Sequence, residues 1–300
     1  MRKKMQDYFL RNPHFKYIMP AMFIMMLLSI IPTIFLACIS FTNYQLGWNL
    51  SRLKFVGLEN YIRLFSGADR DFWHSVFISI GFMVMATLIE MILGFVTGYC
   101  LNASEFVLKP LVIGIMIIPL VITPSIAAQM WKLMLNSEYG IINHLLNSFL
   151  GLKVVWLSDK MAFWSILMVD IWQYTPFVAL IIYAGLRSIP GEPYESAAMD
   201  GASPFQELVY ITIPMIRQLL FLALLFRVID SLKLFDVAYV LTQGGPGTAT
   251  EFLSLHVFRM ANAQNGLIGR AASIAMVLLV MVTFISNLLI KKMRREEEAV

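Results

Sequence analysis

The sequence predicts an all-α polytopic membrane protein with six transmembrane helices, and three observations predict it. Hydrophobic residues fill 59% of the 300 positions and charged residues only 14%, where a soluble domain carries about a quarter. Six stretches reach the ~20 apolar residues that a helix needs to cross a bilayer, at roughly 17–41, 73–99, 107–131, 161–186, 215–240 and 267–290. Basic residues gather at the two ends, in Arg2, Lys3, Lys4, Arg11 and Lys16 and again in Lys291, Lys292, Arg294 and Arg295. Such clusters flank spans on the cytoplasmic side, and an even number of crossings puts both termini there. The net charge of +4 is thus a membrane-flank signal, and no nucleic-acid partner is expected.

This division gives a cytoplasmic N-terminal segment at 1–16, one six-helix domain at 17–291 and a cytoplasmic charged tail at 292–300. The first apolar stretch is too long for a cleaved signal peptide and lacks a small-x-small site, so it reads as a retained anchor. Pro20 and Pro32 fall within it and offer kink points. Cys38 and Cys100 lie in apolar surroundings and read as packing residues, with no disulfide framework or CxxC pattern. His144 has no second ligand at i+4, so no metal site is expected.

After the first span, Phe55–Phe65 places Leu58, Tyr61, Ile62 and Phe65 on one helical face, as an interfacial connector would. The second span contains Gly94 and Gly98, whose spacing permits close approach of another helix. It also contains Glu90, a carboxylate in hydrocarbon that needs a partner, water or a proton. In the third span Pro119 and Pro124 stand beside Thr123, Ser125 and Gln129. Such a break either lines a solute path or is a structural kink. The following stretch, Tyr139 to Leu152, alternates an apolar face of Ile141, Ile142, Leu145, Leu146, Phe149 and Leu150 with a polar face of Asn143, His144, Asn147 and Ser148. It reads as a helix lying in the outer interface.

The fourth span clusters Asp170, Trp172, Gln173, Tyr174 and Pro176. Rings and amides together suit sugar, whose apolar faces stack while its hydroxyls need donors and acceptors. An interhelical polar contact beside a proline kink accounts for them equally. The fifth span repeats Arg227, Asp230, Lys233 and Asp236 every three residues with alternating sign. Either this is a self-neutralised ladder of i, i+3 pairs, or some of its members touch a passing solute. Gly244, Gly245, Pro246 and Gly247 follow, but without the Gly-Lys-Ser/Thr ending that a phosphate-binding loop requires. The sixth span is plain.

One connection, 188–214, is longer than a turn and more ordered in pattern than a tail. Pro193 suits the first position of a short helix and Gly201 its left-handed stop. Ser203, Pro204 and Gln206 then form a capping box that opens a second helix. Phe205, Leu208, Val209 and Ile213 give that helix an apolar face, and one so short needs a surface to lie on. The residues predict a helical hairpin, either tying two spans together or offered to a partner.

The order Glu195, Ser196, Ala197, Gly201, Ile211 and Pro214 resembles the EAA motif of bacterial ABC importer permeases. Ser196 stands for a usual Ala and Ile213 for the usual Leu. The strings FVGLENY from Phe55 and FDVAYVLTQGGPGTATE from Phe235 are similar to segments of the sugar branch of that family. The resemblance implies a type I importer permease fold and a coupling role for Glu195, Ser196, Ala197, Asp200, Gly201, Ile211 and Pro214. It implies two cytoplasmic ATPase subunits that use ATP and Mg, with no cofactor held by this chain itself. It further implies a second permease subunit as heterodimer partner, an extracytoplasmic solute-binding protein and a sugar or oligosaccharide substrate. Gln129, Trp172, Gln173, Tyr174, Arg227, Asp230, Lys233 and Asp236 are then the candidate substrate pathway. Arg227 and Lys233 also leave room for a phosphorylated solute such as glycerol 3-phosphate. An ion-coupled transporter would use the fifth-span charges as its relay but usually shows two similar halves, which are not seen here. An intramembrane enzyme finds no HExxH or Gly-x-Ser-x-Gly in the sequence.

Overall fold

The computed structural model describes residues 15–262 and 266–297. Arg2, Lys3, Lys4, Arg11 and the acidic end of the tail at Glu298 lie outside the described residues. The chain divides into two compact units, residues 1–68 with 257–277 and residues 69–256 with 278–300. Among the described residues there is no strand, only an isolated bridge between Thr42 and Phe55.

In the first unit, α1 (Phe15–Ser40) runs through both of its prolines as one helix. Its C-terminal carbonyls need partners, and Asn60 supplies them. Asn60 Nδ2 donates to Ser40 O at 2.8 Å and to Thr42 O at 2.9 Å, while the Ser40 hydroxyl meets that of Tyr61 at 2.6 Å. Those bonds seat the short α2 (Glu59–Phe65) with Asn60 and Leu64 buried; Leu58, Ile62 and Phe65 of the expected apolar face look outward, while Tyr61 is half-buried against Ser40.

The second unit is built on α3 (Arg70–Ala103) and α7 (Ala162–Arg187). Asp69 caps α3 by accepting from Phe72 N at 3.2 Å. A methyl group added at Gly94 would stand 2.6 Å from Val178 Cβ, and one at Gly98 2.7 Å from Ala179 O. The glycine pair is therefore a packing contact that lets the two backbones touch.

The third crossing is not one rod. It consists of α4 (Lys109–Val121) and α5 (Pro124–Met134), bent by 98°. Pro124 opens α5 because a first-turn residue needs no N–H donor, and α4 ends just before it for the same reason. Counted as one span, this pair brings the helices able to cross a membrane to six among the described residues, with Tyr17–Ser40, Arg70–Ala103, Ala162–Arg187, Pro204–Leu241 and Ile268–Arg295.

Two side-chain expectations fail. In α6 (Ile141–Leu150) Asn143 does not join the outward polar face. It is buried, donates to Val154 O at 2.8 Å and accepts from Trp156 Nε1 at 3.1 Å, so it pins the loop that follows. Cys38 and Cys100 are free and exposed on this chain, so neither packs within it. A small apolar side chain on a span surface suits lipid as well as a core.

Candidate functional site

The connection after α7 folds largely as its residues dictate. α8 (Glu192–Met199) has Pro193 in its first turn. At its end Gly201 adopts φ 76°, Ala202 N bonds Ala197 O at 2.9 Å and Gly201 N bonds Ala198 O at 3.2 Å. That double bond is the Schellman stop, which glycine enters without steric cost. α9 (Pro204–Glu207) opens on the expected capping box, with Ser203 N donating to Gln206 Oε1 at 2.7 Å.

The predicted second helix is not separate. α9 passes through a π-helical turn, Leu208–Thr212, directly into α10 (Ile213–Leu232), so this arm is rigidly continuous with the fifth crossing. Pro214 is the physical reason: it cannot donate to the Tyr210 carbonyl and its ring crowds it, and a wider turn relieves both. The Tyr194 hydroxyl meets Thr212 Oγ1 at 3.0 Å and ties α8 to that turn.

Glu195, Ser196, Asp200, Gly201 and Pro214 are exposed, while Ala197 and Ile211 are half-buried. Around them Met199, Phe205 and Tyr210 are 84%, 73% and 75% exposed. A capped, ordered element that presents several large apolar side chains is the signature of an interaction surface.

The candidate pathway residues do not all meet at one place. Arg227 sits in α10, almost wholly buried, and reaches across to two other helices. Its Nε and Nη2 donate to the two oxygens of Glu90 on α3, with Nη2–Oε1 at 2.9 Å, and Nη2 also donates to Asp170 Oδ2 on α7 at 2.8 Å. The guanidinium lies 4.0 Å from the ring centroid of Tyr174. The i, i+3 ladder is therefore corrected. Arg227 pairs between helices, because a buried guanidinium gains most where carboxylates are also dehydrated. Only Lys233 and Asp230 pair in the expected way, at 3.9 Å and half exposed. The helix then ends at Leu232, and Asp236 opens α11 (Asp236–Leu241), its Oδ1 accepting from the Ser125 hydroxyl at 2.9 Å.

Tyr174, Arg227, Asp230, Lys233 and Asp236 line one cavity of about 260 Å³ beneath the α4–α5 bend. Gln129 lines a different cleft of about 300 Å³ together with Lys132, Tyr139 and Trp156. Trp172 packs edge-on against Trp131 at 5.5 Å between centroids. Gln173 is buried and donates to Ile122 O at 2.9 Å and Pro119 O at 3.4 Å, the carbonyls that the bend leaves open. It holds the break.

Sequence reasoning missed a second polar cluster. His256, in α12 (Leu253–Asn262), is buried with Nδ1 2.7 Å from Glu251 Oε1 and Nε2 3.1 Å from Asp69 Oδ2. Burial pulls its pKa down, but hydrogen bonds and charge from the two carboxylates outweigh that and push it up to about 9. Burial likewise raises the Asp69 pKa, and the imidazolium beside it brings the net shift below the usual value. Asp69 is far in sequence from the other two, and only the spacing of Glu251 and His256 could have hinted at the cluster. Among the described residues no group of three or more His, Cys, Asp or Glu is arranged to hold a metal ion.

Residues 91–295 match the family described as binding-protein-dependent transport system inner membrane component. The trehalose/maltose transport system permease protein MalF of Thermococcus litoralis is 40% identical over 81% of each chain. The sulfoquinovosyl glycerol transport system permease protein SmoG of Agrobacterium fabrum is 31% identical over 79% of this chain and 76% of its own. In structure the chain is similar to a subunit of a bacterial ABC transporter involved in alginate import, with TM-score 0.81 and 20% identity over 97% of this chain and 99% of that one.

Proposed function

The chain belongs to the family of binding-protein-dependent transport system inner membrane components, and from that premise we propose that it is one of two permeases in an ATP-driven sugar or oligosaccharide importer. It is a multi-pass membrane component with the type I importer permease fold. The observation that carries the proposal is the exposed α8–α9 arm, capped on both sides of its central turn and continuous through α9 with a membrane crossing. In this reading two cytoplasmic ATPase subunits bind ATP and Mg and receive that arm in a groove. Glu195 meets a basic group there, with Ser196, Ala197 and Asp200 alongside, Gly201 sets the angle, and Ile211 and Pro214 hand the motion to α10. This chain supplies no nucleotide site of its own. Both termini face the cytoplasm, and a solute-binding protein rests on the opposite side near the glycine-rich loop.

The sugar assignment rests on the relatives, whose names give trehalose/maltose and sulfoquinovosyl glycerol as their solutes. A second permease completes the path by alternating access. Copurification from native membranes tests the proposal. Two ATPase subunits, a second permease and a bound sugar are expected; a lone chain that drives uptake from an ion gradient without ATP contradicts it.

A further inference from the structure

The cavity under the α4–α5 bend has a charge balance that its residue types conceal. Two cations reach it, and each has a carboxylate beside it. Arg227 is held by Glu90 and Asp170, so its buried cluster carries two carboxylates for one guanidinium. Lys233 lies 3.9 Å from Asp230. Among the described residues Asp236 is matched by no cation, and its carboxylate accepts from the neutral Ser125 hydroxyl. The acids that line the cavity, Asp170, Asp230 and Asp236, therefore outnumber its cations, Arg227 and Lys233.

An anionic solute entering such a space loses water and gains no net counter-charge. A hydroxyl gains a charge-assisted bond, because an ionised carboxylate is an acceptor with several lone pairs. Tyr174 and Phe235 add ring surface to the same wall, and about 260 Å³ suits one sugar unit. Resting on the reading that this cavity lies on the solute path, we infer that Asp230 and Asp236 determine its specificity. They accept the hydroxyl protons of an uncharged polyhydroxylated solute and exclude carboxylated or phosphorylated ones. This removes the anion site that Arg227 and Lys233 suggest when read as free charges.

The test uses the assembled importer in nanodiscs, without its binding protein so that upstream selection does not intrude. Calorimetric titration compares maltose with its carboxylate counterpart, maltobionate. Maltose is expected to bind about tenfold or more tightly than maltobionate at low salt, with the gap shrinking as salt rises. Asp236→Asn narrows the gap, and Asp230→Asn, which frees the Lys233 ammonium, narrows it further. Equal binding of the two solutes overturns the inference, as does binding of neither. Variants that weaken both solutes equally place the cavity on the path but remove the charge filter. Variants that change neither take the cavity off the path. ATP-driven uptake by the wild-type importer tests the importer reading separately, so the two failures are distinguishable.

Discussion

Arg227 and Glu90 stand 137 positions apart in the chain and meet as a two-point ion pair inside the helix unit. Asp170 completes the contact from a third helix, so one guanidinium joins α3, α7 and α10. Replacing it by Met leaves two buried carboxylates without a partner, which costs about 3–5 kcal/mol. Arg227→Met is expected to lower the thermal midpoint of the purified complex sharply. Adding Glu90→Gln and Asp170→Asn to that variant recovers most of the loss, because no uncompensated charge then remains.

The α3–α7 contact gives a second expectation. A methyl at Gly94 meets Val178 Cβ at 2.6 Å, so the helices must part to admit it. Gly94→Ala is expected to cost about 1–3 kcal/mol, read as a lower unfolding temperature. Gly114, with open space around it, accepts Ala without that loss.

Gln173 is expected to act through the bend and not by touching solute. Gln173→Leu strips the donor from Pro119 O and Ile122 O, at about 1–3 kcal/mol for each orphaned buried carbonyl. Stability and maximal uptake are expected to fall together, with the ratio of solute affinities for the cavity unchanged.

The Asp69–His256–Glu251 clasp predicts a pH dependence. His256 titrates near 9 in the fold against an ordinary 6.5, so the folded state binds the proton more tightly. Its contribution is full below about 6.5 and is lost as pH rises through 9, amounting to about 3 kcal/mol at most. Thermal melts between these values are expected to show that decline, and His256→Gln to flatten it.

Much of this architecture is legible in the sequence because each crossing needs a long and mostly apolar stretch. The α8 stop and the α9 start are legible too, since Gly201, Ser203 and Gln206 act on neighbours within a few residues. What the sequence hides is contact between distant helices. The regular spacing of Arg227, Asp230, Lys233 and Asp236 suggests pairing along one helix, yet Arg227 finds its acids on two others. Glu90 reads as a carboxylate lacking a partner until α10 is laid beside α3. Asn143 looks like part of a wet face until the return loop at Val154 folds over it. The π turn at Leu208–Thr212 is likewise invisible to a 3.6-residue period, although Pro214 marks where it is needed.

In the proposed importer the α8–α9 arm transmits force from ATP hydrolysis to the membrane crossings. Uptake per ATP hydrolysed, measured in proteoliposomes holding the full importer, tests it most directly when Gly201 is replaced by Val. A β-branched side chain at φ 76° cannot keep the left-handed stop, so the arm loses its angle. Continued hydrolysis with uptake reduced at least about tenfold is the expected result. Unchanged uptake per ATP in a correctly assembled Gly201→Val importer would contradict it.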